Sequence, residues 1–169
     1  MSEPVRILIL VRHAKSSWAD ESLPDHDRPL NARGERDAPR MARRLKKRGP
    51  IPQRIVSSSA RRALDTARTF AEVLGMDAEE VDVRSEIYGA GVHEIVELIR
   101  GLGDGLQRVM LVGHNPRLSA LAHHLSSAVG AELPTCAVIT LEMEGRGWED
   151  AGEGTFRLLD LDFPKKREK

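Results

Sequence analysis

The chain has 169 residues, 40% of them hydrophobic and 31% charged, and its 26 Lys and Arg balance 26 Asp and Glu. These proportions exclude a disordered chain, and a formal net charge of +0 leaves no global field to draw it to nucleic acid or an anionic membrane. One cysteine, Cys136, excludes an internal disulfide framework and suits a reducing compartment.

The amino-terminal apolar run Val5-Arg6-Ile7-Leu8-Ile9-Leu10-Val11 is too short to span a bilayer and lacks the length and cleavage site of a signal peptide. A single domain over residues 1–169 in a soluble, cytoplasmic protein is therefore expected. The run is rich in β-branched residues and ends in polar ones, so it predicts a buried strand over roughly Arg6 to Val11. A polar loop with Asp20, Asp25, His26, Asp27 and Pro29 follows, and Asn31 is placed to cap a helix running to about Lys47. Ala38, Met41, Ala42 and Leu45 share one face of that helix, and Pro39 is expected to kink it.

A second strand is predicted over Arg54–Ser57 and a second helix over Ala60–Leu74, with Ala63, Leu64, Ala67, Phe70, Ala71 and Leu74 inward and Gly75 at the stop. A short strand is expected around Glu80 to Val83, a helix over Val92 to Leu102, and a strand over Val109–Val112. A further helix starts at Pro116, with Leu118, Leu121, Ala122 and Leu125 inward. Ala137–Leu141 and Thr155–Leu161 read as two strands joined without a helix, which suits an antiparallel hairpin at one edge. The alternation predicts an α/β three-layer αβα sandwich, a mostly parallel sheet with helices on both faces.

Three of the predicted strands end in chemistry. The first delivers Arg12-His13, the second Ser57-Ser58-Ser59-Ala60-Arg61-Arg62, and the fourth Gly113-His114-Asn115-Pro116. Carboxyl ends of strands are where open α/β sheets hold ligands. Phosphoryl transfer asks for positioned cationic donors around three charged oxygens, and the arginine fork suits them best. Arg12 and Arg62 fit that role, a neutral His13 is a competent nucleophile toward phosphorus, and a protonated His114 supplies a third donor.

Four blocks in order carry a resemblance. Arg12-His13-Ala14-Lys15-Ser16-Ser17-Trp18 resembles the Arg-His-Gly signature of the two-histidine phosphatase superfamily, which includes the cofactor-dependent phosphoglycerate mutases. Leu30-Asn31-Ala32-Arg33-Gly34-Glu35-Arg36-Asp37-Ala38 is similar to its Leu-Thr-x-x-Gly-x-x-Gln-Ala block, and Ser57 to Thr66 to its Ser-Ser-Pro-x-x-Arg-Ala-x-x-Thr block. Val112-Gly113-His114-Asn115-Pro116 resembles the carboxyl-terminal histidine block. The short chain, Arg12-His13-Ala14-Lys15-Ser16 and Asp27-Arg28-Pro29-Leu30 most resemble the small bacterial phosphohistidine phosphatase (SixA-like) branch.

The resemblance implies a phosphoglycerate mutase-like fold and a metal-independent phosphatase without cofactor. His13 would be the nucleophile, with Arg12, Arg62 and His114 holding phosphate. The implied substrate is a phosphorylated protein of the histidine phosphotransfer type. Ala14 and Ser59 replace the usual glycine and proline, and Ala19 stands where the mutases place an asparagine, a contact Ser16 is positioned to supply. Glu86, in Arg84-Ser85-Glu86-Ile87-Tyr88, matches the superfamily's general acid. A small phosphomonoester would need that acid; phosphohistidine would need it less, because a protonated imidazole leaves readily. A phosphomonoester phosphatase using Glu86 is therefore the alternative, and a non-catalytic phosphate-binding module the second.

The cations from Arg40 to Arg48 suit a helix carboxyl end rather than nucleic acid, with docking of an acidic protein as the other reading. His26, with Asp25 and Asp27, stands on a loop that is either solvated or at the rim of the pocket. His123-His124 is no metal site, since adjacent helical residues do not share a face. Lys165 to Lys169 reads as a solvated tail.

Overall fold

The amino-terminal apolar run forms strand β1 (Val5–Arg12), joined by β2 (Arg54–Ser57), β3 (Asp82–Val83), β4 (Arg108–Gly113), β5 (Val138–Glu144) and β6 (Arg157–Asp162). The computed structural model describes residues 4–130, 132–145 and 147–167. The six strands make one sheet in the order β3-β2-β4-β1-β5-β6. β1, β4, β2 and β3 pair in parallel, and β5 and β6 close one edge as the expected antiparallel hairpin.

Strand residues alternate between two cores because both faces of the sheet are covered. Ile7, Ile9 and Val11 meet the apolar stripes of α1 (Ala32–Arg48) and α2 (Arg61–Val73). Leu8 and Leu10 face the other way, toward the short α3 (Glu86–Gly89), α4 (Val92–Arg100) and α5 (Arg117–Leu125). The result is the three-layer αβα sandwich. This layering sets the site, because the chain leaves β1 for α1 on one face and β4 for α5 on the other. β1 and β4 are neighbours, so their carboxyl ends open a crevice between diverging connections.

Local rules account for most element boundaries. The Asn31 side chain accepts from the Gly34 N–H at 2.9 Å and caps α1. Gly75, at φ +78°, takes the left-handed turn that ends α2. Helix α1 runs unbroken through Pro39, because one missing ladder donor is offset by the buried stripe Ala38, Met41, Ala42 and Leu45. Leu64 is half-buried rather than core, and β3 shrinks to two residues because Ala78–Glu80 wind into a 3-10 turn. The last strand starts at Arg157, since Thr155 turns back to bond Gly152.

The basic end of α1 departs further from expectation. Arg44 is buried and bonds Asp162 at 3.2 Å and the Phe163 carbonyl at 3.0 Å, while Arg48 lies 3.1 Å from Asp160. Both cations therefore tie α1 to β6, Arg44 as a buried strut and Arg48 as a part-exposed one. Of the tail, Glu168 and Lys169 lie outside the described residues.

Candidate active site

Strand register sets the site. Arg12 of β1 pairs with Gly113 of β4, and Ser57 of β2 pairs with Val112. The residues one step further, His13, His114 and Ser58, therefore leave the sheet in a single layer. The backbone holds that layer: His13 N–H donates to Gly113 O, Ser58 N–H to Val112 O, and Cys136 N–H to His13 O, each at 3.1 Å.

His13 Nδ1 lies 2.8 Å from the Ala14 carbonyl. A carbonyl only accepts, so Nδ1 carries the proton and Nε2 keeps its lone pair. Burial, opposed by that hydrogen bond and reinforced by Arg62, Arg12 and Arg28, pushes the His13 pKa down to about 4. The imidazole is neutral at pH 7. The His114 ring centroid stands 5.1 Å away, and its Nε2 lies 2.8 Å from Ser58 Oγ. Burial, then His13 and Arg62, push the His114 pKa down to about 3.

The arginines approach from separate elements. Arg12 donates from Nη1 to the Leu133 carbonyl at 2.6 Å. Arg62, on the first turn of α2, donates to the Asp25 carbonyl at 2.7 Å and to its carboxylate at 3.0 Å. The Thr66 hydroxyl donates to the Arg62 carbonyl and accepts from the Ala14 N–H, so the Arg-Ala-x-x-Thr spacing ties the α2 arginine to the strand carrying His13. Ala14 is fully buried and has no positive φ, so it holds the glycine position without strain. Gly34 is needed for a different reason: a Cβ there would collide with the Lys15 carbonyl oxygen.

Three residues to which the sequence assigned no definite role complete the arrangement. Asp25 accepts from Arg62, from Arg28 Nε at 3.0 Å, and from the Tyr88 hydroxyl. The Tyr88 bond, then Arg62 and Arg28, hold the Asp25 carboxyl well below the usual carboxylate range against a desolvation cost. Arg28 is buried, donates to Ser16 Oγ at 3.0 Å, and stacks 3.5 Å from the centroid of the exposed Trp18 ring. Tyr88 meets both His26 and His114 edge-on. His26 bonds Ser59 Oγ at 2.8 Å and so stands at the rim. The available signal was the string Asp25-x-x-Arg28-Pro29-Leu30, together with the chain's one tyrosine.

His13, Arg12, Arg62 and His114 thus converge, and Ser16 reaches them through Arg28. Glu86 stands apart: it is the first residue of α3, its side chain is 55% exposed, and its carboxylate faces Arg84 at 3.5 Å.

Residues 8–94 match the histidine phosphatase superfamily (branch 1), a span that includes Arg12, His13, Arg62 and Glu86. The chain belongs to the histidine phosphatase superfamily. A chloroplastic protein of Arabidopsis thaliana is 36% identical over 94% of this chain and 78% of its own length. Among solved structures, one from Agrobacterium tumefaciens assigned as phosphohistidine phosphatase SixA superposes with a TM-score of 0.79 at 29% identity, covering 94% of this chain and 98% of that one. A second SixA assignment, from Nakamurella multipartitia, gives 0.81 at 25% identity over 98% and 100%. This chain is a phosphatase with the phosphoglycerate mutase-like fold of that superfamily. Its described residues contain no helix long and apolar enough to cross a membrane.

Proposed function

We propose that this superfamily member dephosphorylates protein phosphohistidine through a covalent intermediate on His13. The observation that carries the reading is the state of His13: neutral, with Nδ1 tied to Ala14 and the Nε2 lone pair left unbound, among arginines and a second histidine. Arg12 Nε, Arg62 Nε and His114 Nδ1 are also buried without a partner among the described residues. Buried polar groups left so need an explanation, and an oxyanion supplies one. The same lack at Arg6, Arg44 and Arg68 says that orphaned nitrogens alone do not define the site; their grouping around His13 does.

In the proposed reaction the His13 Nε2 lone pair forms an N–P bond as the bond from phosphorus to the leaving group breaks. The leaving electron pair stays with the substrate imidazole, which departs neutral because its other nitrogen already carries a proton. Water then attacks phosphorus, the His13 N–P bond breaks, and its electron pair returns to Nε2 as inorganic phosphate leaves. Arg12, Arg62 and a His114 that takes up a proton from solvent as the anion binds offset charge on the phosphoryl oxygens. Ser16 acts through Arg28 as a positioning residue.

Glu86 bears on the substrate. Exposed and facing Arg84, it makes no hydrogen bond to the four central residues. A site without a committed acid suits a leaving group that needs little protonation. Ester hydrolysis with Glu86 as acid is the second reading, favoured only in that Glu86 and Tyr88 share α3 at the rim.

The test incubates the protein, without added metal, with a histidine-phosphorylated phosphotransfer domain and separately with an aryl phosphate, following phosphate release. Rapid release from the phosphohistidine domain with slow aryl phosphate turnover is expected. The opposite preference, abolished by Glu86→Gln, overturns the substrate assignment in favour of a small phosphomonoester.

A further inference from the structure

Five of the eight cations of α1 fall into two sets. Arg44 and Arg48 are spent on β6, as described above. Arg33, Arg36 and Arg40, at spacings that share one helix face, are exposed and meet the carboxyl-terminal segment across a groove of about 590 Å³. Lys165, Lys166 and Arg167 line its other wall. The groove's carboxylate is Asp37, buried and 3.5 Å from Arg33. Among the described residues, no carboxylate lies within ion-pair distance of Arg36, Arg40, Lys165 or Arg167. A chain of zero net charge therefore concentrates cations on one concave strip built from segments more than a hundred residues apart.

The position of the strip matters as much as its charge. Arg33 adjoins Gly34, whose backbone packs directly on Lys15, two residues after His13. Arg33, which lines the groove, is thus one residue from the point at which α1 touches the segment that carries the site. No aromatic side chain lines it, so it offers no stacking platform for bases. Pro164 is the apolar residue among those lining it, so the groove lacks the broad apolar face of a membrane-surface helix.

We infer that this groove docks an acidic, Asp- and Glu-rich segment of the phosphorylated protein whose phosphoryl group enters the neighbouring site. The inference rests on the proposed protein substrate, and it assigns the surface through which such a substrate is chosen. Screened charges of this kind act on encounter and on KM rather than on chemistry.

The test compares wild type with Arg36→Glu/Arg40→Glu/Lys165→Glu, three exposed positions outside the catalytic machinery. The probes are a fluorescent oligoglutamate, a single-stranded oligonucleotide of equal charge, a histidine-phosphorylated phosphotransfer domain and an aryl phosphate. Wild type is expected to bind oligoglutamate more tightly than the oligonucleotide, and less tightly as salt rises. The triple variant is expected to bind oligoglutamate about tenfold more weakly and to show a similar rise in KM for the phosphorylated domain. Unchanged aryl phosphate turnover in the variant shows that the fold and the chemistry are intact.

Equal oligoglutamate binding by wild type and variant overturns the inference, as does a preference for the oligonucleotide. An unchanged KM for a phosphorylated domain that wild type does turn over overturns it while leaving the proposed activity standing. Groove-dependent oligoglutamate binding with no turnover of the phosphorylated domain upholds the acidic docking surface and overturns the substrate assignment instead.

Discussion

At His13 the decisive detail is which nitrogen holds the proton. The Ala14 carbonyl fixes it on Nδ1, and burial keeps the ring neutral at pH 7. His13→Ala is expected to lower turnover by roughly 10³-fold or more while leaving the fold intact, checked by phosphate release and circular dichroism. Asp25 acts through the arginines, so Asp25→Asn is expected to raise KM by about tenfold with a smaller change in kcat. A structural role alone would move thermal stability without that split. His114, pushed down to about 3, must gain a proton to serve as a donor. Anion binding and proton uptake are then coupled: sulfate, whose own charge is constant there, should bind more tightly as pH falls from about 7 to about 5. Titration calorimetry in two buffers measures both the affinity and the proton taken up. The grouping of His13, Arg12, Arg62 and His114 was legible in the sequence because each lies at or just beyond the carboxyl end of a strand, a ligand position by topology. The roles of Asp25, Arg28 and Tyr88 were not, because the Asp25-x-x-Arg28 string shows a local pair but not that Asp25 also binds Arg62 and Tyr88 from distant elements.

Elements, rather than single side chains, explain the spacing of Asn31 and Gly34. Asn31 caps α1, and Gly34 lets that helix approach the Lys15 backbone just beyond His13. Gly34→Ala should push α1 away from this segment, lowering activity and thermal stability together, in contrast to Asp25→Asn. At the far end of α1, Arg44 and Asp162 are both buried and paired, and Arg48 stands 3.5 Å from the same carboxylate. Arg44→Ala leaves the buried Asp162 with Arg48 as its remaining cation and is expected to cost about 3 kcal/mol in denaturant unfolding. The long helices α1, α2, α4 and α5 were readable from their apolar stripes. The four-residue α3 is too short for any period to emerge, and the burial of Arg44 depends on where β6 falls, which the helix sequence does not contain.

The whole molecule combines a sheet buried on both faces with a polar crevice at one end, and that crevice sets its response to acid. His13 and His114 have folded pKa values of about 4 and about 3, below the ordinary 6.5. The unfolded chain therefore binds more protons than the folded one as pH falls below 6.5, so stability is full above that value and declines toward about 3. Asp25 adds to the loss lower down, since its depressed carboxyl is protonated first in the unfolded chain. Thermal unfolding should show Tm falling between about pH 7 and about pH 4, with a shallower slope in His13→Asn/His114→Asn. The sandwich itself was foreseeable from the alternation of strands and helices; the division of its surface charge into internal struts and an open groove was not. The central claim is the covalent step, and the most direct measurement is to quench the protein during turnover of a ³²P-histidine-phosphorylated domain and map the label by peptide. The account predicts acid-labile, base-stable phosphate on the peptide containing His13, absent in His13→Ala. Full turnover with no label on that peptide, or label persisting in His13→Ala, would contradict it.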